Sequence, residues 1–384
     1  MPLPMAKGAT PKRDAAPGID AAVAIPSAAR VPRRGSLLRR SRAYQLYWHQ
    51  SLVLAALFSF YCELESCLYR ALSKEKNYKI LLPIGLLLAS LFFSFAQGAR
   101  LPSPLFLLDV ASAGRHLIAV GERGVILRSQ DGGKQWMAPP SPARSTLTSV
   151  FFYDEHLGWA SGHDGVIITT KDGGQTWRQL RYVPNEKKPL LDIWFQNAKQ
   201  GYAVGAYGTV LTTQDAGNNW SPIALAHEDR HINAIAGTAA GTVLLAGEAG
   251  LLYVRHAQNP KWEALPTPYT GSFFGALITS QGSFVIFGLR GKVFRSDDEG
   301  KSWRTLSVAN TPSLMGGAIL EGGTIAMVGL DGTLILNDAS GKQMQTFTLP
   351  AKSALSSIVS TTPRSAVAVG EAGVTRIVPP ALLP

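Results

Sequence analysis

A four-residue pattern, Gly-x-x-Gly, recurs seven times at nearly constant spacing, and it constrains the fold more than any other feature of the chain. The copies are Gly121–Gly124, Gly162–Gly165, Gly205–Gly208, Gly247–Gly250, Gly288–Gly291, Gly329–Gly332 and Gly370–Gly373, with first glycines 41, 43, 42, 41, 41 and 41 residues apart. One such string means nothing in a chain with 38 glycines among 384 residues. Seven in register are a repeat, and a period near 41 is that of a propeller blade. Each copy follows a short apolar strand, such as LIAV (117–120) or VLLA (243–246), and precedes an alternating one, such as VIITT (166–170) or KVFRS (292–296). Two strands across a tight glycine turn make a hairpin. A third strand lies upstream, as in TSVFFY (148–153), LDIWF (191–195) and NAIAG (233–237). The expected architecture is all-β: a seven-bladed β-propeller over residues 98–384.

A second motif follows the later strand in four repeats. It reads Ser/Thr-x-Asp-x-Gly-x-x-Trp, at Ser129-Asp131-Gly133-Trp136, Thr170-Asp172-Gly174-Trp177, Thr213-Asp215-Gly217-Trp220 and Ser296-Asp298-Gly300-Trp303. The aspartate accepts backbone N–H groups within a turn, the glycine supplies positive φ, and the tryptophan packs on a neighbouring blade. Repeat four keeps only Trp262, repeat six keeps Asp338 without the tryptophan, and repeat seven ends before the motif. Residues 105–378 thus resemble the Asp-box, or bacterial-neuraminidase-repeat, propellers. Strings such as GWASGHDGVIITTKDGGQTW (158–177) are similar to the photosystem II stability/assembly factor family. That resemblance implies an exported seven-bladed propeller that binds newly made membrane-protein subunits through an arginine-rich surface, without catalysis.

With four strands per blade, the Gly-x-x-Gly turns share one face with the inter-blade connections, and the Asp-boxes lie on the other. Repeated motifs build scaffold, so Asp131, Trp136, Asp172, Trp177, Asp215, Trp220, Asp298 and Trp303 are read as structural. A site belongs where repeats differ. The variable turn and connection positions on the first face supply Arg123, Arg144, Arg181, Tyr182, Lys187, Lys188, Tyr207, Arg230 and Arg290 as candidate partner-binding residues. Arginine and tyrosine are enriched at interface hot spots. Repeat seven lacks an outermost strand after VTRIV (374–378). Either residues 100–106 pair there, at an edge that tolerates Pro102 and Pro104, or the last blade has three strands.

The N-terminal quarter has a different character. Residues 80–96 (ILLPIGLLLASLFFSFA) are uncharged, follow Lys74, Lys76 and Lys79, and end in small residues. They read as a signal peptide or a membrane anchor within residues 74–97. Residues 1–73 are an Ala/Pro/Arg-rich extension without early periodicity; translation from near Leu72 would give an ordinary signal sequence. The expected location is outside the cytoplasm, periplasmic or lumenal, with a tether to the membrane as the alternative to cleavage. The net charge of +11 misleads: residues 1–97 hold 13 Lys/Arg against 5 Asp/Glu, and the remainder 24 against 21. A nucleic-acid binder carries its basic excess on the folded domain, so nucleic acid is not the expected partner. The only cysteines, Cys62 and Cys67, precede the repeats.

Three further classes fit poorly. A sialidase-like glycosidase is the enzymatic alternative, since such enzymes share Asp-boxes. They are six-bladed and open with an Arg-Ile-Pro signature, whereas this repeat region opens LFLLDVASAGRHLIAVGERG (105–124). His227 and His231 are four apart but in a connection without helical periodicity, so no metal is expected. No Walker lysine motif accompanies any glycine pair, so no cofactor is expected. The reading is a monomeric, non-catalytic scaffold whose partner is a membrane protein or an unassembled subunit of one.

Overall fold

Each repeat folds as an up-and-down meander, because short alternating strands separated by glycine turns have no other way to satisfy their backbones. The computed structural model describes residues 105–226, 229–306, 311–362 and 365–377. The chain divides into two units, Met1–Ala99 and Arg100–Pro384. The described residues all belong to the second, so the expectations for residues 1–73 and 74–97 lie outside them.

Among the described residues twenty-six strands form seven antiparallel sheets. Blade one has β1 (Leu107–Ala113), β2 (His116–Gly121) and β3 (Ile126–Ser129). Blade two has β4 (Leu147–Phe152), β5 (Gly158–Gly162), β6 (Ile167–Thr170) and β7 (Arg178–Arg181). Blade three has β8 (Leu190–Phe195), β9 (Gly201–Gly205), β10 (Val210–Thr213) and β11 (Ser221–Pro222). Blade four has β12 (Ile232–Gly237), β13 (Val243–Gly247), β14 (Leu252–His256) and β15 (Asn259–Ala264). Blade five has β16 (Phe273–Ile278), β17 (Phe284–Gly288), β18 (Val293–Ser296) and β19 (Arg304–Thr305). Blade six has β20 (Leu314–Ile319), β21 (Ile325–Gly329), β22 (Thr333–Asn337) and β23 (Met344–Thr348). Blade seven has β24 (Leu355–Thr362), β25 (Ser365–Gly370) and β26 (Gly373–Ile377). The seven-bladed all-β expectation is met.

The blades are held together by apolar seams. Seven buried clusters correspond to the seven junctions between adjacent blades. The ring closes in the same way: Leu117, Ala119 and Leu127 of blade one pack on Val367 and Val369 of blade seven. Of residues 100–106, the described pair Leu105–Phe106 lies outside any strand, and the Phe106 carbonyl accepts the Glu122 N–H at 3.1 Å. Among the described residues blade seven therefore has three strands, and residues 101–104 lie outside them. Blade one also has three, plus a single bridge in which Arg128 and Met137 exchange both backbone hydrogen bonds, at 2.8 and 2.9 Å.

The two glycines of each turn do different work. The first is extended, and a Cβ on it would strike a backbone carbonyl just before the innermost strand, at 2.0 Å from the Thr146 oxygen for Gly162 and 2.2 Å from that of Pro189 for Gly205. That carbonyl accepts the next N–H of the turn, as His163 to Thr146 at 2.9 Å. The second glycine has positive φ, and the connection to the next blade crosses directly over it: a Cβ on Gly124 would lie 2.1 Å from the Ala143 oxygen. Turns and connections are thus at one end of the ring.

The Asp-boxes close the opposite ends of the outer hairpins. Asp172 Oδ1 accepts the Gln175 and Thr176 N–H groups at 3.0 and 2.9 Å and the Thr170 hydroxyl at 2.8 Å, while Thr170 Oγ accepts Gly174 N–H. Asp131, Asp215 and Asp298 repeat the pattern. Asp338 caps an equivalent turn through Lys342 and Gln343 without a tryptophan. Trp136, Trp177, Trp220 and Trp303 each join the seam with the preceding blade. The Trp136, Trp177 and Trp220 indoles donate to a glycine carbonyl of their own turn, whereas Trp303 donates to Pro266 of blade four at 3.0 Å.

Candidate functional site

The turn end of the ring presents the residues in which repeats differ. In six of the turns the third residue is left-handed without being glycine: Arg123, Asp164, Tyr207, Ala249, Arg290 and Asp331 have φ between 50 and 58°. A left-handed L-residue costs about 1 kcal/mol, and here the turn imposes it whatever the side chain. The position is therefore free to carry chemistry. Tyr207 is 54% exposed, and its ring meets His231 edge-on at 5.1 Å.

Between blades two and three a groove of about 560 Å³ runs to this end from the Trp220 side. Its floor is Val210, Leu211, Ile223 and Leu225, closed on one side by Trp220, with Arg181, Lys188 and Tyr207 at the rim. Three of the candidates are thereby brought together. Tyr182, 50% exposed, and Lys187, left-handed at φ 49°, stand on the same β7–β8 connection. Arg230 lies beside them: its carbonyl accepts the Gly208 N–H at 2.9 Å, directly after Tyr207.

The candidates are not equivalent. Arg181 is committed to the fold: Nη1 donates to the Gly165 carbonyl at 2.8 Å and Nη2 pairs with Glu186 at 2.9 Å. Its side chain is 17% exposed. Lys187 and Lys188 are exposed. Arg123 and Arg144 are exposed at the blade-one turn, where Gly124 abuts Ala143–Arg144. Arg290 is on the blade-five turn and does not line the groove.

The centre of the ring holds what the sequence did not flag. Each innermost strand has a register shift at its second residue, between Leu107/Asp109, Leu147/Ser149, Leu190/Asp192, Ile232/Ala234, Phe273/Gly275, Leu314/Gly316 and Leu355/Ser357. A bulge turns the next side chain away from the regular pleat. Asp109 Oδ2 accepts Val150 N–H of the next blade at 2.8 Å, and Asp192 Oδ2 accepts Ile235 N–H of the next blade at 2.9 Å. Thr148 and Asn233 reach to the Leu190 and Phe273 carbonyls, each at 2.8 Å. These residues line a central cavity of about 410 Å³. The available signal was the acid inside two apolar strings, LLDV (107–110) and LLDI (190–193).

Two carboxylates in a cavity are also what a glycosidase needs. Here both oxygens of each accept backbone N–H groups, from Val110 and Val150 or from Ile193 and Ile235, so they stitch blades together. The ring also has seven blades rather than six. Among the described residues no three His, Cys, Asp or Glu side chains are placed to hold a metal. His227 lies outside those residues.

The repeat count, the Asp-boxes and the closed ring agree with one sequence family. The model for photosynthesis system II assembly factor YCF48 matches residues 95–185 and 141–357. The chain belongs to this family. Among solved structures it is similar to YCF48 bound to D1 peptide, at 20% identity and a TM-score of 0.61 over 73% of this chain and 95% of that one. It is also similar to YCF48 from Cyanidioschyzon merolae, at 15% identity and a TM-score of 0.57 over 74% and 98%. The WD40 propeller domain of Doa1 matches at 16% and 0.59 over 73% and 94%, a likeness of fold alone. No curated protein matches the chain significantly.

Proposed function

We propose that this YCF48-family ring is an exported, non-catalytic scaffold that holds a polypeptide of a membrane complex, an unassembled subunit in particular, against its turn face on blades one to three. The groove between blades two and three carries the reading. It pairs an apolar floor with Tyr207, Lys188 and Glu186 at its rim, and tyrosine is among the residues enriched at interface hot spots. A family relative has been solved with a D1 peptide bound, which supports a polypeptide as the ligand class. Export follows from the apolar run 80–96 behind its lysines, and that run serves as signal or tether.

The test is capture from detergent-solubilised membranes of the source organism with the full chain as bait. A specific membrane protein should be retained by the wild type. It should be lost with Lys187→Glu/Lys188→Glu, which touches no fold hydrogen bond described above. Equal retention by that variant would remove the blade two–three sector from the proposal. A blank with the wild type, together with hydrolysis of a sialoside, would reverse the assignment in favour of a glycosidase.

A further inference from the structure

Five of the seams are plugged in the same way. On the outer strand of each four-stranded blade, or just past it, one aliphatic side chain packs into the seam with the next blade. These are Leu180, Ile223, Leu265, Leu306 and Leu349, of blades two to six in turn. The last four also hold a backbone bond, their N–H groups donating to the carbonyls of Val210, Leu252, Val293 and Gly332 at 2.8 to 3.1 Å. The seam of blades seven and one has no such plug among the described residues: Val359, Val367, Val369 and Val374, its blade-seven members, lie on β24, β25 and β26. The edge that a plug would cover is open. In β26, residues Gly373 to Thr375 are half-buried and Arg376 is exposed, whereas the matching strand of blade six, β22, is buried along its whole length.

The described chain begins beside that edge. Leu105 stands two residues before β1, as Arg230 and Gly271 stand two residues before β12 and β16. The Arg230 and Gly271 carbonyls accept the N–H of the second turn glycine in the blade just left, Gly208 and Gly250, at 2.9 Å each. The Leu105 carbonyl is likewise the nearest atom to a Cβ placed on Gly373, at 3.7 Å. The N-terminal segment thus reaches β1 across the blade-seven turn, as a connection from blade seven would.

Upstream of Leu105 the sequence repeats the exit of blade six. Leu349-Pro350 stands six residues before Leu355, the first residue of β24, and Leu101-Pro102 stands six residues before Leu107, the first of β1. Blade four leaves through the same pair, Leu265-Pro266. We propose that Leu101 latches blade seven: its N–H donates to the Gly373 carbonyl, as that of Leu349 does to Gly332, and its side chain plugs the seam of blades seven and one. Pro102 and Pro104 have no N–H, so the segment from Leu101 to Leu105 adds one bond and one side chain rather than a ladder. A cut on the N-terminal side of Arg100 leaves the latch in place, and a cut after Leu101 opens it. The latch does not depend on what the groove binds.

Disulfide trapping in the full chain tests this, with Cys62 and Cys67 replaced by serine. In blade six Thr348 is opposite Thr333, directly beside the Leu349–Gly332 bond. Such a pair, between hydrogen-bonded ones, brings its side chains close enough for a disulfide. The same register puts Arg100 opposite Val374. Arg100→Cys/Val374→Cys should therefore give an intrachain disulfide on mild oxidation, read by peptide mass. Arg100→Cys/Arg376→Cys, with the second cysteine about 7 Å further along β26, should give little. Adding Leu101→Asp to the first pair should slow the link, and Leu101→Met should not. A disulfide-linked dimer would place a second copy at this edge instead. That result, no link at all, equal yields from the two pairs, or an unmoved rate with Leu101→Asp would each overturn the proposal. The comparison of the two cysteine pairs stands even if Leu101→Asp fails to fold.

Discussion

A single added methyl group separates the two roles of the turn glycines. In Gly162→Ala the new Cβ would stand 2.0 Å from the Thr146 carbonyl oxygen, and the contact is backbone on both sides, so neither can step aside cheaply. The same oxygen must stay in place to accept the His163 N–H. Gly162→Ala should therefore cost at least about 2 kcal/mol, in the range of strained backbone substitutions. At Asp164, two residues on, an existing side chain already tolerates φ 58°. Asp164→Gly should change stability by less than about 1 kcal/mol, because relief of strain offsets the added chain entropy and the lost bond from Ser145. Urea unfolding of the two variants decides the point, and equal losses would contradict the division of labour. The pattern Gly-x-x-Gly was legible in the sequence as a turn. Which glycine answers to a close carbonyl and which to a left-handed backbone was not, because the obstructing atoms come from outside the motif.

At the scale of strands and hairpins, the alternation of apolar residues located the inner three strands of each blade. The two-residue outer strands β11 and β19 left no periodicity to read, since period two needs more than two residues. The seams were legible only at the Asp-box tryptophans, because the other partners lie one repeat away in sequence with no motif to mark them. Trp159 shows what a seam contributes. It is fully buried, its ring stacks on Phe195 of the next blade at 3.5 Å, and its indole N–H donates to the Ala216 carbonyl at 3.0 Å. Trp159→Ala should destabilise the ring by about 3–5 kcal/mol, the usual loss for a buried tryptophan. Trp159→Phe should recover most of the packing but leave Ala216 unpaired. The candidate surface was partly legible as well. Lys188 and Tyr207 do meet in one groove, while Arg181 belongs to the blade, which its position at a strand end did not reveal.

At the scale of the whole molecule, the Asp-boxes set the response to acid. The Asp-box carboxylates are held below the ordinary range by hydrogen bonds: Asp298 is lowered to about 2, led by the Ser302 hydroxyl, and Asp131 and Asp215 are lowered chiefly by the Gln135 and Asn219 N–H groups. Groups depressed on folding stabilise the fold above their unfolded value of 3.8, and that contribution is lost as pH falls through the folded value. Thermal stability should accordingly fall below about pH 4 through the Asp-boxes. Asp298→Asn should blunt that acid limb. A calorimetric series from about pH 2.5 to about pH 7 follows that limb, and an acid limb unchanged in Asp298→Asn would count against the Asp-box assignment.

Ring closure makes the seven seams unequal. The junction of blades seven and one joins two blades with three strands each among the described residues, whereas every other junction has a four-stranded blade on at least one side. Its buried part is Leu107, Val110, Leu117, Ala119, Leu127, Val367 and Val369, with the partly buried Trp136 as its aromatic ring. The junction of blades two and three has Trp159 and Phe195. Fewer ladder bonds mean a smaller free energy of local opening. Hydrogen exchange should therefore proceed from this seam outwards, with β1, β2, β24 and β25 exchanging before β8, β9, β12 and β13. Val367→Ala should enlarge the difference selectively, because the Val367 side chain abuts the Gly133 turn and Leu117 across the closure. Uniform protection around the ring in the wild type would show instead that the disc opens as one cooperative unit, with closure no weaker than any other seam.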